Sequence, residues 1–389
     1  MRILGLNFII FIFFIFSTES VFSKIKQPFI KVRIAKSLQK ITMSGLDIRK
    51  KLNGSGRIKS YNGKRELKFN CKPIRKVTKN KKPLLLASLE SRTGLIKWNK
   101  TGYIGRMNIV TSEKNIGCDL INEIPLEKYI SSLLSKEMSP KWPIEALKAQ
   151  AVAARSYAYH KMVSQQVSKT KGFKAYYDLE NSEKHQVNGS FFDTTKSTQK
   201  AASETQGEIL VVGLSEVTPI FFHSKCGGKT LRPDQVWSKN IKGYRSVNCP
   251  FCHKHGTKPW KYRIKKRKFN TLLDDTLKSF YDNRFTSKDD KMIRITPDNK
   301  NNVSLRVYDD EKLLIIKKSR LRAILGRKKA PSNYYHLKEN SNEMILEGKG
   351  FGHGVGMCQY GALELARRGY TYKQILSHYF PEHNLKTIY

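Results

Sequence analysis

The sequence has no apolar run long enough for a membrane-spanning helix, so we expect a mature chain that is soluble or, at most, peripheral to a membrane. The longest apolar stretch, Ile3 to Phe16, is shorter than the roughly 20 residues that a bilayer requires and contains Asn7. Arg2 precedes it, and polar residues follow it. This order predicts a secretory signal peptide cleaved after Ser23, with a membrane anchor as the alternative.

Acidic residues are scarce, with 32 Asp and Glu against 73 Lys and Arg, and the formal net charge is +41. Such a charge favours anionic partners. Nucleic acid is one candidate, but the sequence has no zinc-finger, RRM or basic-zipper pattern and it begins with an export signal. We therefore expect no nucleic-acid partner and prefer the anionic cell envelope. Biased genome composition is a second source for part of the lysine excess.

Cysteine is infrequent and does not occur before position 71, which excludes a lipid-anchored cysteine near the predicted cleavage site. Six cysteines in an exported chain can form up to three disulfides, but their connectivity cannot be read from the sequence. Three of them stand alone in the sequence, and these are Cys71, Cys118 and Cys358. The other three, Cys226, Cys249 and Cys252, form a cluster.

The periodicity of the chain changes from strand-like to helical near residue 119. Ile30, Val32 and Ile34 alternate with basic residues, which is the period of a half-buried strand, and helical spacing begins at Ile124. We predict an α+β fold. Its parts are a signal peptide at 1–23, a β-rich region at 24–118, and a mixed core at 119–389 that contains a central helix pair, with a cleft between this core and the β-rich region.

Two helices are predicted between Ile124 and Gln166. Pro125 suits the first turn of one helix, and Pro140 with Pro143 ends it and opens the next. One narrow face of the first helix carries apolar side chains and then a carboxylate, in the order Leu126, Ile130, Leu133 and Glu137.

Glu137 is therefore expected to point inward. A carboxylate at the end of an apolar stripe is disfavoured as a charge, so its pKa should rise and leave it partly protonated near neutral pH, as a general acid requires. A glutamate that turns to water or pairs with a lysine is the alternative.

The second helix is rich in alanine, which allows close approach by neighbouring elements. Lys148 and Arg155 lie seven residues apart and share a face. They are either cleft residues on the side of Glu137 or ordinary surface charges.

The segment GKGFGHGVGMCQYGA places glycine at every second position from 348 to 356. In an extended chain this leaves one face without side chains, while Phe351, His353, Val355 and Met357 occupy the other. The spacing is neither G-x-G-x-x-G nor a Walker loop, so no nucleotide site is indicated. A packed glycine-rich turn is the alternative to a ligand site.

Five motifs occur in one order: PLEKYI, EMSPKWPIEALKAQAVAARSYA, HQV, HSKCGGKT with a following VW, and GKGFGHGVGMCQYGA. In this combination the chain, from about Gly102 to Tyr389, resembles the SpoIID/LytB family, which includes stage II sporulation protein D and the amidase enhancer. The resemblance implies a lytic transglycosylase in the periplasm or cell-wall space that needs no cofactor for catalysis. Its substrate would be peptidoglycan glycan strands, preferably those stripped of stem peptides by an amidase.

By this resemblance, Glu137 of the EM-x-P motif is the catalytic acid. Substrate-binding roles are implied for Lys148, Arg155, Gln186, His353, Gln359 and Tyr360. A strand without stem peptides exposes the lactyl carboxylate of each muramic sugar, so we expect Lys148 and Arg155 to select such strands. The alternative function, from another class, is a noncatalytic enhancer that binds wall glycan and activates an amidase.

The cysteine cluster offers a second site. Some members of the family carry a cysteine and histidine metal site near HQV, where this sequence retains only His185. Instead, the chain has the ligand types of a tetrahedral structural zinc in Cys226, Cys249 and Cys252, with His255 or His223 as the fourth ligand. A disulfide between Cys226 and one of the other two is the rival, since an oxidising compartment favours it. Cys358 is expected to be a small buried residue.

Overall fold

The computed structural model describes residues 27–53, 55–71, 83–112, 116–170, 176–182, 186, 189–237, 239–256, 259–280, 294–297, 304–309 and 312–389. The predicted signal peptide and His185 lie outside these residues. Helices and strands are both abundant, and a large sheet packs with helices, which confirms the α+β prediction. In the described part of the chain, no helix combines the length and apolar character that a membrane crossing requires.

A curled sheet of nine strands forms the amino-terminal part of the fold. Its strands along the chain are β1 (Phe29–Leu38), β2 (Lys40–Leu52), β3 (Ile58–Asn70), β4 (Leu85–Ser91), β5 (Leu95–Trp98), β6 (Thr101–Ile104), β7 (Arg106–Thr111), β8 (Cys118–Pro125) and β9 (Leu179–Glu180). The order across the sheet is β6-β5-β2-β4-β7-β8-β1-β9, and β3 pairs with β2. All pairs are antiparallel except β1 with β9.

Strand β1 shows the expected alternation, since Ile30 and Val32 are fully buried. The predicted boundary between residues 118 and 119 falls within the sheet, because β8 pairs with both β1 and β7. A disulfide joins Cys71, just after β3, to Cys118 at the start of β8, with Cα atoms 5.6 Å apart. The first strand of the predicted core, β8, therefore belongs to this sheet.

Three helices follow the sheet, and they are α1 (Leu126–Glu137), α2 (Ile144–Thr170) and α3 (Lys196–Glu204). Pro125 occupies the N-cap of α1, as its fixed φ suits a helix start. The predicted apolar face of α1 is buried, with Leu126, Ile130 and Leu133 each at 0% exposure. Helix α2 packs against α1 and α3 through its alanine-rich surface.

The rest of the chain forms smaller sheets and short helices. Its elements are β10 (Glu208–Val212), β11 (Phe222–His223), α4 (Pro233–Trp237), β12 (Trp260–Lys265), α5 (Lys266–Phe280), β13 (Arg294–Pro297), β14 (Ser304–Asp309), β15 (Lys312–Lys317), α6 (Lys318–Leu325), β16 (Tyr335–Glu339), β17 (Glu343–Gly348), β18 (Met357–Cys358), α7 (Gln359–Arg367), α8 (Tyr372–Tyr379) and β19 (His383–Thr387). Short 3-10 helices span Phe191–Asp193 and Cys252–His255. The pairings are β10-β19, β11-β18, β12-β17-β16 and β13-β14-β15.

His383, in β19, makes the stability of the fold depend on pH. The ring is buried, its Nε2 lies 3.1 Å from Thr218 Oγ1, and burial lowers its pKa from 6.5 to about 4. Between these values the unfolded chain takes up a proton that the folded chain excludes, so the free energy of unfolding should fall by roughly 2 to 3 kcal/mol as the pH drops from about 6.5 to 4. In chemical denaturation, His383→Gln should reduce this dependence by the share of His383, whereas His336→Gln, at an exposed position, should leave it unchanged. An equal pH dependence in all three proteins would contradict the assignment.

Candidate functional site

Glu137 is the last residue of α1, where the backbone leaves the helix at the extended Met138. Its side chain is half-buried, and the amide Nε2 of Gln359 donates a hydrogen bond to Glu137 Oε2 at 3.3 Å. Gln359 opens α7, so this contact joins two elements 222 residues apart in the sequence. The inward face predicted for α1 therefore leads its carboxylate to an internal site.

Glu137 and Gln359 line a pocket of about 630 Å3, which lies within the usual size range of small-molecule sites. Its described lining residues are Lys136, Glu137, Tyr157, Ser182, Gln186, Ile220, Phe221, Phe222, His223, Ser224, Trp237, Arg322, Arg327, Lys328, Pro331, Phe351, Gly352, His353 and Gln359. All lie at position 136 or later. The described lining thus comes from the helix pair and from segments of the carboxyl-terminal half, and none of it comes from the described residues of the β-rich region, with which we predicted a cleft.

The glycine-rich segment forms part of the pocket wall, and four of its glycines lack the extended backbone that one of the two interpretations of its spacing required. Gly350, Gly352, Gly354 and Gly356 all have positive φ, between 71° and 109°. Glycine adopts such backbone conformations without strain, and the segment forms isolated bridges to Lys225, Leu231 and Ser332. At Gly350 a Cβ would also lie 2.6 Å from the carbonyl oxygen of Lys225, so the close approach of two backbones requires glycine there.

Two neutral imidazoles line the pocket. His223 and His353 have ring centroids 5.5 Å apart. Burial lowers the pKa of His223 from 6.5 to about 4, and burial together with the neighbouring His223 and Arg322 holds the pKa of His353 well below 6.5. Both rings are therefore uncharged at neutral pH.

The hydrogen bonds of these rings fix their tautomers. His223 Nδ1 lies 3.0 Å from the carbonyl oxygen of Val355 and must carry the proton, since a carbonyl only accepts. Its Nε2 is then an acceptor, and this buried atom has no hydrogen-bond partner among the described residues. His353 Nδ1 instead accepts the backbone N–H of Val355 at 3.0 Å, which leaves its proton on Nε2.

Aromatic and cationic side chains complete the wall. Trp237, with 39% of its surface exposed, lies 4.7 Å from Phe221 and 5.0 Å from His353 between ring centroids. Arg327 and Lys328 follow α6 and are exposed at the pocket. The described lining thus combines one carboxylate, neutral hydrogen-bonding groups, an aromatic surface and positive charge.

Lys148 does not line this pocket. Its ammonium forms ion pairs with Glu145 at 3.0 Å and Glu204 at 2.6 Å, and the hydrogen bond that it donates to Glu204 raises its pKa. The expected substrate contact is therefore replaced by contacts between α2 and α3.

Arg155 is also absent from the pocket, because it is completely buried. Its guanidinium makes a bidentate ion pair with Glu127, with Nε–Oε1 at 2.7 Å and Nη2–Oε2 at 2.6 Å, and donates to the carbonyl oxygens of Ala202 and Glu208. A guanidinium enclosed in this way holds α1, α2 and β10 together. We assign it a structural role in place of the expected substrate contact.

Gln186 and Tyr360 take intermediate positions. Gln186 lines the pocket but is 2% exposed, accepts from Tyr129 Oη at 3.1 Å and donates to the Ala154 carbonyl at 3.2 Å. Tyr360 lies outside the pocket lining, where its ring meets Trp142 at 5.0 Å between centroids. Gln186 therefore supports the pocket floor, and Tyr360 packs behind its wall.

The three cysteines predicted as metal ligands lie together, and the fourth residue beside them is a cysteine in place of the predicted histidine. The sulfur atoms of Cys226, Cys249, Cys252 and Cys358 all lie within 4.8 Å of one another. His255 is not among them, because its Nε2 contacts Glu364 Oε2 at 3.3 Å. Cys358 is a small buried residue, as expected, and it takes the place predicted for histidine.

Several pocket residues were not predicted as site residues from the sequence. His223 and Trp237 belong to the HSKCGGKT and VW motifs, so a signal for them was present. Arg322, Arg327 and Lys328 occur in an ordinary basic stretch, and only the tertiary structure distinguishes them from other cations.

The chain is similar in sequence to a protein family and to several individual proteins. The stage II sporulation protein family model matches residues 114–212, which include Glu137. The chain is 33% identical over 261 residues to an uncharacterized protein of Brachyspira hyodysenteriae, covering 67% of this chain and 66% of that one. It is 30% identical over 273 residues to stage II sporulation protein D of Bacillus subtilis, covering 67% and 74%. The amidase enhancer of the same organism is 27% identical over 327 residues, covering 72% of this chain and 43% of that protein.

Proposed function

Because the chain belongs to the stage II sporulation protein D family, we propose that it is a lytic transglycosylase that cleaves the glycan strands of peptidoglycan, with Glu137 as general acid and base. Membership of this family supports a role related to the cell wall. The cleavage reaction itself is our proposal, and the pocket around Glu137 supports it.

The observation that carries the proposal is that Glu137 is the single carboxylate among the described residues that line the pocket. Ordinary glycosidases need two carboxyl groups, one to protonate the leaving oxygen and one to supply or activate the nucleophile. One carboxylate among the described lining residues suits a reaction in which the substrate provides its own nucleophile.

In that reaction Glu137 donates a proton to the glycosidic oxygen, and the C6 hydroxyl of the muramic sugar attacks its own C1. The bond from C1 to the glycosidic oxygen breaks as the bond from O6 to C1 forms. The resulting carboxylate takes the proton of the attacking hydroxyl, so the same residue acts first as acid and then as base. The products are a 1,6-anhydro end and a free 4-hydroxyl, and no water is consumed.

The other groups of the pocket suit a sugar chain. The Nε2 atom of His223 can accept a hydrogen bond from a sugar hydroxyl, which would supply the partner that this buried atom lacks among the described residues. Trp237 offers a partly exposed indole surface to the C–H face of a pyranose ring. The amide of Gln359 positions the Glu137 carboxylate through their hydrogen bond.

Selection of strands without stem peptides is assigned to Arg327 and Lys328, since Lys148 and Arg155 are engaged elsewhere. Each muramic sugar of a peptide-free strand has a lactyl carboxylate, which these exposed cations can meet at the pocket. Arg327→Ala with Lys328→Ala should weaken binding of such strands by about 1 to 3 kcal/mol and reduce the salt dependence of binding. Isothermal titration at two salt concentrations measures both effects.

Arg367→Ala with Lys373→Ala is the matched control, because it removes the same two charge types from exposed positions that do not line the pocket. The control should bind peptide-free strands as the wild type does. An equal loss in both double variants would show that net charge, and not the pocket, selects the substrate.

A noncatalytic enhancer of an N-acetylmuramoyl-L-alanine amidase is the second candidate, and the similarity to an amidase enhancer favours it. The two functions differ in what the purified protein does alone. A transglycosylase releases fragments with 1,6-anhydro ends from peptide-free glycan, whereas an enhancer releases none and accelerates an added amidase. Mass spectrometry of the released fragments decides between them.

We place the protein outside the cytoplasm, in the periplasm or cell-wall space. The disulfide between Cys71 and Cys118 supports this location, because disulfides persist in oxidising compartments. The predicted signal peptide agrees with it.

A further inference from the structure

The four-cysteine cluster next to the pocket has the composition of a metal site. Cys226 follows β11, Cys249 and Cys252 lie in one loop and its 3-10 helix, and Cys358 is the N-cap of α7. Each side chain is at most 2% exposed. Three separate segments thus place their thiols in one enclosed volume.

The spacing of the sulfur atoms suits a shared metal ion better than a disulfide. Cys226 Sγ and Cys252 Sγ are 3.6 Å apart. Tetrahedral zinc with bonds of about 2.3 Å holds its sulfur ligands about 3.8 Å from one another. A disulfide needs a separation of about 2.05 Å, and the only cysteines joined in this way among the described residues are Cys71 and Cys118.

Hydrogen-bond donors surround the sulfur atoms. The backbone N–H of Gly228 lies 3.4 Å from Cys226 Sγ, that of Gly361 lies 3.4 Å from Cys358 Sγ, and Tyr379 Oη lies 3.1 Å from Cys249 Sγ. Such outer contacts stabilise thiolates and orient them toward a metal. Position 361 also requires glycine, since a Cβ there would lie 2.7 Å from Cys249 Sγ.

We propose that Cys226, Cys249, Cys252 and Cys358 bind one zinc ion in a closed tetrathiolate site that fixes the wall of the Glu137 pocket. Four thiolates in tetrahedral arrangement are the ligand set of structural zinc, and they leave no coordination position for substrate. The fourth ligand is Cys358, and His255 remains with Glu364.

The cysteine cluster lies beside two strands that carry pocket residues. Strand β11 pairs with β18, with Phe222 opposite Met357 and His223 opposite Cys358. The next residue, Gln359, donates the hydrogen bond to Glu137. A metal that binds on both sides of this strand pair therefore holds His223 and Gln359 at the pocket.

Metal analysis of the full purified chain tests the ligand set. The wild type should contain about one zinc ion per chain. Cys358→Ser should lose most of the zinc and melt at a lower temperature, whereas His255→Ala, which removes a histidine that the sequence offered as the fourth ligand, should keep both zinc and melting temperature. Zinc that is lost in His255→Ala and kept in Cys358→Ser would overturn the proposed ligand set.

A second measurement on the wild type applies if Cys358→Ser does not fold. A mercurial reagent should release the zinc as the cluster thiols react, and alkylation of the denatured, unreduced chain should label four cysteines. Labelling of two cysteines or none, with no metal present, would overturn the proposal in favour of disulfides. The inference does not depend on glycan cleavage, so it can succeed where the proposed function fails, and the reverse.

Discussion

Glu137→Gln should reduce cleavage of peptide-free glycan by roughly 100-fold to 10,000-fold, while glycan binding and the fold remain intact. Glutamine has the size of glutamate but neither donates a carboxylic proton nor accepts one as a carboxylate. Its side-chain oxygen can still accept the hydrogen bond from Gln359, so the contact between α1 and α7 survives. Release of 1,6-anhydro fragments measures the reaction, and isothermal titration measures binding.

Glu204→Gln is the control, because it makes the same chemical change at an exposed glutamate that does not line the pocket. It should cleave as the wild type does. If Glu137→Gln also retained full cleavage, the residue would have no part in the mechanism. If the wild type itself released no fragments, the enhancer function would be favoured.

Arg155→Ala should lower the free energy of unfolding by about 3 to 5 kcal/mol, the usual cost of removing one partner of a buried ion pair. The substitution leaves the carboxylate of Glu127, which is 13% exposed, without its bidentate partner. Glu127 would retain the backbone N–H of Gly207 at 3.2 Å and the hydroxyl of Tyr389. Two hydrogen bonds compensate poorly for a lost guanidinium, so chemical denaturation should show a much lower midpoint.

Two further variants define the cause of this loss. Arg155→Lys keeps the charge but not the planar fork, so its stability should fall between those of Arg155→Ala and the wild type. Lys148→Ala, on the same helix face, should cost much less, because its ion pairs lie near the surface. Wild-type stability with weakened glycan binding in Arg155→Ala would return this residue to the substrate site.

Much of the local structure follows from the sequence alone. The alternation of Ile30 and Val32 with basic residues determines β1, and Pro125 with the apolar face of α1 determines where that helix begins and which side it buries. These features depend on neighbours within a few residues, so the hydrophobic period and the helix-starting residues are sufficient to predict them. Glu137 was placed at the inner face of α1 on the same grounds.

The partners of each side chain were decided only by the tertiary structure. Lys148 and Arg155 occupy equivalent positions on one helix, and their different surroundings arise from Glu127 and Glu204, which are 28 residues before Arg155 and 56 residues after Lys148. The sequence offered His255 or His223 as a fourth ligand and Cys358 only as a small buried residue, whereas the pairing of β11 with β18 brings the Cys358 thiol to the other three cysteines. The hydrophobic period of a helix or strand indicates which of its faces is buried. The contacts that determine the role of a charged group or a thiol come from segments that are distant in sequence, and the local sequence pattern does not encode those contacts.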